Sequence, residues 1–350
     1  MKVEELLSQT GEWLRGAGPE SDVVISSRVR LARNLRRFPF LTVASLPVRA
    51  EIERFVRPRL EDGKFPRRLN YWSLTEVSPI ERTLLVERHL ISRELAQQEG
   101  ERGVAVAGDE SVSIMVNEED HLRLQVIRSG FQLEEAFEEL DRMDSSLEGS
   151  LNYAFHPKFG YLTACPTNAG TGLRISVMIH LPAVVLAKQM DKVLQSLQSV
   201  RVAVRGFYGE GTQPVGDFYQ VSNQVTLGKS ERDIVAEMRK VVPEILRFER
   251  SWRQKLLEDR PRQLEDKVWR AYGLLKNARR MSSEEATDLL SSLRLGIHLN
   301  ILTKFPARTV NELFLFTQPG HLQKAERKIL DADERDLVRA EFIRRRLEGL

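Results

Sequence analysis

Three carboxylates stand in a row at Glu118-Glu119-Asp120, bracketed by Asn117 and His121, with Arg123 two residues further on. Such a triplet offers a general base, or a partner for a cation or for magnesium. It is equally the composition of a solvated turn. A second segment, Gly160 to Arg174 (GYLTACPTNAGTGLR), places the single cysteine, Cys165, in a loop of small residues. A loop of that kind lets backbone approach an anion, with a thiol at a strand end. Cys165 can also be a buried small hydrophobe in a long hairpin loop, or a nucleophile, although no histidine is its obvious partner. Arginines complete the set. Arg28 and Arg30, spaced i,i+2, share a face if the segment is a strand. Arg123, Arg174 and Arg205 fall on or at the ends of other strand-like runs. If those strands adjoin, the guanidinium groups converge into a polyphosphate clamp that needs no P-loop. Of the 53 basic residues 40 are arginine. Codon or thermal bias can produce that excess, so the argument rests on the strand positions, where a planar fork grips phosphate with two parallel hydrogen bonds.

Other chemistries fail on spacing. Asn223 to Ser230 (NQVTLGKS) ends like a Walker loop but has Asn223 where the first glycine belongs. No GxGxxG occurs, nor the signatures of a Ser/Thr/Tyr protein kinase. The six histidines are scattered, so no protein-held metal site is expected. A net charge of +3 is too weak for a nucleic-acid polyelectrolyte. No apolar run approaches the roughly 18–20 residues of a membrane span. Glu4 and Glu5 sit where a secretory leader would be basic and then apolar. One cysteine excludes an internal disulfide and fits a reducing, cytoplasmic setting.

The elements that must hold these groups follow from periodicity. Residues 1–20 read as a short amphipathic helix broken by Gly16, Gly18 and Pro19. Residues 111–127 alternate with period two around a polar turn, which predicts a β-hairpin carrying the carboxylates at its tip. Further strands are expected near 23–30, 174–180 and 200–205. Helices are expected at 132–143, 183–197 and 230–249, the last with Ser230 as N-cap. After about residue 255 the chain is rich in Leu, Glu, Arg and Ala, with Ser282 and Glu285 as a capping pair. The first strand candidate there is the LFLF run at 313–316. The expected organisation is an N-terminal helical segment (1–20), an α+β domain built on an antiparallel sheet flanked by helices (21–255), and an all-α domain (256–350).

In combination, SSRVR (26–30), NEEDHLR (117–123), CPTNAGTGLR (165–174) and VRGFYGE (204–210) closely resemble the catalytic domain of the phosphagen (guanidino) kinases, over roughly residues 21–250. The resemblance implies an eight-stranded antiparallel sheet, the cofactors ATP and Mg²⁺, and phosphorylation of a guanidinium nitrogen. It makes Arg28, Arg30, Arg123 and Arg174 phosphate-binding residues, Glu119 the base that orients and deprotonates the guanidinium, Glu118 a carboxylate near magnesium, and Cys165 a substrate-binding thiol. His89 becomes a nucleotide contact. Ser26, Ser27, Val29, Ile175, Ser176, Val177, Met178, Arg205, Gly206, Phe207, Tyr208, Gly209 and Glu210 join the nucleotide site.

The departures matter. Only 25 residues precede Ser26, where the phosphagen kinases carry a helical domain that encloses small substrates. Tyr208 replaces another phosphate-binding arginine, so Arg205 is expected to do more of that work. The loop's substrate carboxylate falls at Gln213, so Glu210 or Asp217 must supply any second acid. The helical addition and the motif Arg335-Asp336-Leu337-Val338-Arg339-Ala340 resemble the bacterial protein arginine kinases. That branch implies protein substrates, among them a transcriptional repressor of stress genes and unfolded proteins. It also implies a Clp ATPase/protease, a zinc-binding activator protein, a homodimer, a cytoplasmic location, and a regulatory phosphoarginine pocket at Arg335, Asp336 and Arg339. Two alternatives stay open: a kinase of a small guanidino compound, and a non-catalytic phosphoarginine-binding adaptor.

Overall fold

The computed structural model describes residues 3–63, 65–206 and 215–348. Among the described residues ten strands occur: β1 Val24–Arg33, β2 Leu69–Ser73, β3 Gly103–Ala107, β4 Val112–Val116, β5 Leu122–Ser129, β6 Phe155–His156, β7 Gly160–Tyr161, β8 Leu173–His180, β9 Val202–Gly206 and β10 Phe218–Asn223. Strands β6 and β7 form a separate small hairpin; the other eight make one antiparallel sheet in the order β2-β3-β4-β5-β1-β8-β10-β9. The ten-residue β1 lies near its centre, between β5 and β8.

Alternation along each strand splits the sheet into two faces. Val29 and Leu31, with Leu122, Leu124 and Val126, and with Ile175, Val177 and Ile179, enter a buried core. That core is closed by helices α1 Leu46–Glu61, α4 Leu133–Leu151 and α7 Glu231–Asp259. Between them come α2 Pro79–Glu87 and α3 Arg93–Gln97, then α5 Pro182–Leu186 and α6 Met190–Ser199. Ser230 caps α7 reciprocally with Asp233, as its position suggests.

Five helices follow: α8 Pro261–Asn277, α9 Ser283–His298, α10 Ala307–Phe316, α11 Pro319–Glu326 and α12 Ala332–Glu348. Their core does not close on itself. Val268, Leu290, Leu293, Leu313, Phe314 and Ile343 share a buried cluster with Ile25, Ile127, Met178 and Phe218 from the second face of the sheet. Polar contacts stitch the same seam. Arg294 on α9 donates to Asp22 O (3.0 Å) and to His180 Nδ1 (2.9 Å). His180 Nε2 meets Ser291 Oγ at 2.8 Å, and that hydroxyl donates to Asp217 (3.1 Å). Glu87, at the end of α2, accepts from Gly320 N (2.6 Å) and His321 Nδ1 (2.7 Å) in α11.

Several local expectations need correction. The LFLF run is helical, within α10, with Leu313, Phe314 and Leu315 all buried. A four-residue apolar run is compatible with either a buried strand or a buried helix. The helix expected at 183–197 is two pieces, parted where Lys188 takes a left-handed φ of 55°. The N-terminal segment forms two short 3-10 turns, Val3–Ser8 and Glu12–Leu14, with Gly11 at φ 74° between them. Strands β2, β3 and β10 were not foreseen.

Candidate active site

The register of the central strands brings the arginines together. Arg30 lies opposite Arg174 on β8 and Gln125 on β5, while Ala32 lies opposite Arg123. Arg28, Arg30, Arg123 and Arg174 therefore occupy one patch on the face turned away from the α1/α4/α7 core. Arg28 donates to Ser176 Oγ (3.2 Å) and to Gln220 Oε1 (2.8 Å). Gln220 is opposite Arg205 on β9, which puts a fifth guanidinium on the same face.

This patch is electrostatically uncomfortable. Burial, with Arg123 and Arg174 adding repulsion, lowers the Arg28 guanidinium to about 9. Arg30 is depressed further, by burial and then by Arg28, Arg123 and Arg174. Among the described residues, the buried Nε of Arg30 has no hydrogen-bond partner. Arg123 moves the other way. Burial acts to lower it, but Glu118 at 2.7 Å more than compensates. Several desolvated cations around one carboxylate form a receptacle for a polyanion.

The carboxylate tip is not a solvated turn. Asn117, at φ 61°, is fixed by its side-chain amide donating to Arg49 O and Glu101 O, each at 2.8 Å. Glu118 and Asp120 are buried, and only Glu119 is exposed. Glu118 accepts from Arg123 and from the Glu119 amide (2.9 Å). Burial alone would raise its pKa, but Arg123 and that amide hold it below the usual value. Asp120 is shifted upward by burial, despite accepting from Ala164 N. Glu119 is thus the member of the triplet turned outward.

Cys165 is half-buried, with Sγ 2.9 Å from Thr167 Oγ1 and its carbonyl accepting from Thr163 Oγ1 (2.7 Å). It is not a core hydrophobe. The glycines beyond it let the loop lie close against β1 and the segment after β10. A Cβ on Gly170 (φ 104°) would lie 2.4 Å from Thr226 O, and one on Gly172 (φ 66°) 2.6 Å from Ala32 O. His89 adjoins the patch, in a left-handed conformation (φ 58°), and is lowered to about 3 by burial and then by Arg28 and Arg30. Its carbonyl accepts from Gln125 Nε2 (2.7 Å), and Trp13 meets its ring edge-on at 4.5 Å.

The other expected residues divide. Ser176 and Met178 share the arginine face. Val29, Ile175 and Val177 lie in the opposite core, so their side chains do not reach it. Ser27 Oγ donates to Gly130 O (2.8 Å) and accepts from Gln132 N, which makes it a brace for the turn into α4. Ser26 is buried on β1 opposite Met178, and Gly206 is buried at the end of β9. Phe207, Tyr208, Gly209, Glu210 and Gln213 lie outside the described residues. Asp217 is bound to Ser291 in the seam with α9, away from the arginines. In α12, Arg339 is buried and donates to Thr317 O (3.0 Å), Met281 O (2.9 Å) and Asp336 (2.7 Å), while Arg335 donates to Leu330 O (2.8 Å). Gln125, Gln220 and Trp13 were missed. Gln220 sits in a strand buried along its whole length, and neither it nor Trp13 carries a local signal of its place beside the arginines.

The profile of the ATP:guanido phosphotransferase C-terminal catalytic domain matches residues 51–252. That of the protein-arginine kinase McsB C-terminal domain matches residues 261–350. A protein-arginine kinase from Halalkalibacterium halodurans is 45% identical, covering 99% of this chain and 98% of that one. One from Brevibacillus brevis is 47% identical, over 96% of this chain and 94% of its own. Among solved structures, lombricine kinase superposes with a TM-score of 0.59 at 25% identity, over 71% of this chain and 75% of its own. The duplicated taurocyamine kinase of Schistosoma mansoni with bound transition-state analogue components gives 0.62 at 26% identity, over 70% of this chain and 35% of its own.

Proposed function

The chain belongs to the ATP:guanido phosphotransferases and, among them, to the protein-arginine kinases; from that premise we propose how its residues divide the work of phosphorylating arginine side chains in proteins. ATP is the phosphate donor. The buried arginine patch and the unsatisfied Arg30 Nε fit a polyphosphate. Arg28, Arg30, Arg123 and Arg174 would hold the phosphates, with Arg205 reaching in from β9 and His89, Ser176 and Met178 beside the nucleotide. ATP supplies the phosphoryl group, and Mg²⁺ would enter with it, held chiefly by phosphate oxygens and water near Glu118.

The rest falls to the substrate-facing residues. A guanidinium with a pKa of about 12.5–13.8 has no free electron pair to offer until it loses a proton. Glu119 takes that proton from the attacking nitrogen, while Cys165 and Glu210 hold the remaining edge of the guanidinium. The clamp stabilises charge spreading over the transferred group. The observation that carries this reading is the division of the triplet: Glu118 and Asp120 are buried and engaged, and Glu119 is turned outward.

The finer reading places the enzyme in the cytoplasm as a homodimer, marking a stress-gene repressor and unfolded proteins for a Clp ATPase/protease, with a zinc-binding activator protein. It makes Arg335, Asp336 and Arg339 a regulatory phosphoarginine site. Asp336 supports this, since it keeps 19% of its side chain exposed beside the cation Arg280. The test is incubation with ATP and either free arginine or an unfolded protein, followed by phosphorus NMR and mass spectrometry. Acid-labile phosphoarginine on the protein, with free arginine left unmodified, is expected. Phosphorylation of free arginine alone would overturn the protein-substrate reading.

A further inference from the structure

We infer that Asn34 is a positioning residue that sets the gap between the base-bearing tip and the thiol-bearing loop. The inference rests on the reading of Glu119 and Cys165 as the groups that face the substrate. Asn34 directly follows β1, the strand that carries Arg28 and Arg30, and is 2% exposed. Its Nδ2 donates to Asp120 Oδ1 (2.5 Å) and to Leu162 O (3.0 Å), and its Oδ1 accepts from His121 N (2.9 Å). Asp120 Oδ1 also accepts from Ala164 N (2.7 Å). Asp120 is the next residue after Glu119, and Ala164 is the residue before Cys165. One amide and one carboxylate therefore join the immediate neighbours of both groups.

The surroundings leave the clasp little freedom. His121 Nδ1 accepts from Leu35 N (2.9 Å), and its Nε2 donates to Pro39 O (2.9 Å), so the tip is pinned to the chain on the far side of Asn34 as well. Arg33 holds the other end of the cysteine loop, donating to Thr171 O (2.8 Å) while Asp144 grips its guanidinium at 2.6 Å. Asparagine suits the position because it offers two donors and an acceptor at once. Arg28, Arg30 and Asn34 occupy one strand and its end, so the phosphate clamp and the guanidinium-binding arms share a single reference. A misplacement of about 1 Å between reacting groups costs on the order of 10²-fold in rate.

Asn34→Asp keeps the size and the acceptor for His121 N, removes both donors, and sets a second carboxylate against Asp120. Its kcat should fall about 10- to 10²-fold while the ATP Kd stays within about twofold, because the clamp is untouched. Cys165 is the sole thiol, so its alkylation rate reports the loop directly and should change as well. The swap Asn34→Asp with Asp120→Asn restores a donor to the pair and should recover at least about tenfold of the lost rate. Asn34→Ser, a milder change, should show the same pattern at smaller amplitude if the first variant does not fold. Wild-type turnover in Asn34→Asp, with Glu119→Gln inactive, would overturn the inference. So would a parallel loss of ATP affinity, kcat and melting temperature that the swap does not repair, since that marks a purely structural role. Full activity in Glu119→Gln would instead sink the reading of the site on which the inference stands.

Discussion

Glu118 accepts from Arg123 and from the amide of its own neighbour, while Glu119 is the exposed member of the triplet, and the proposed role of Glu119 as the base can be tested directly. Glu119→Gln should lower protein-arginine phosphorylation by at least about 10²-fold with ATP affinity nearly unchanged. Steady-state rates and nucleotide titration check both halves. Arg174, paired across from Arg30, should not tolerate even a charge-conserving change. Arg174→Lys exchanges a fork for a point charge, so the rate should fall more than nucleotide affinity does. Equal kcat and KM for ATP in the two proteins would remove Arg174 from the clamp. At this scale the sequence was most readable where spacing alone implies geometry. Arg28 and Arg30 share a face because they are two apart on a strand. That Arg28 would lean on Gln220 depends on a pairing 192 residues away, and no local signal encodes it.

Among the elements, the β4–β5 hairpin was legible because both strands alternate cleanly around a polar turn. Strand β3, GVAVA, is buried throughout, so it lacks the alternation that marks a half-exposed strand. Strand β10 is likewise buried along its whole length. The small residues of the cysteine loop stand out in the sequence, but the partners they pack against do not. Gly172 closes on Ala32 O and Gly170 on Thr226 O, both far away in the sequence. Helix α12 carries the element-scale prediction. Arg339 ties it to Met281 at the start of α9 and to Thr317 at the end of α10, so a ligand on Asp336 would bear on three elements together. Asp336→Ala should abolish activation by added phosphoarginine while basal ATP binding persists. Any activator must bind the active state more tightly than the resting one. Kinase rate against free phosphoarginine decides this, and superimposed curves for the two proteins would reduce the motif to a structural brace.

For the whole molecule, buried histidines are expected to weaken the fold in acid, together with the lowered carboxyls of Asp22, Glu81, Glu118 and Glu312. His89 and His298 are held to about 3 and His121 to about 4, each by burial first, and His180 and His321 are lowered for the same leading cause. Above the unfolded value of 6.5 neither state binds a proton, and their neutrality costs nothing. As pH falls below it, the unfolded chain takes up protons that the folded one refuses. Each histidine then removes up to about 1.4 kcal/mol of stability per pH unit. The raised carboxyls of Asp120, Asp144, Asp217 and Glu249 act in the opposite sense. Melting temperature should drop from pH 7 to pH 5, and His298→Gln should flatten that slope. An unchanged slope would mean that His298 titrates alike in both states. The seam between sheet and helices has a separate consequence for anyone who cuts or recombines this architecture. Ile25, Ile127, Met178 and Phe218 lie on the catalytic sheet yet complete the core of the helical domain. A protease nick at the Arg260–Pro261 joint would leave two fragments that stay together. A chimera that grafts these helices onto a small-substrate guanidino kinase would have to import those four side chains too, or the graft would have nothing greasy to land on.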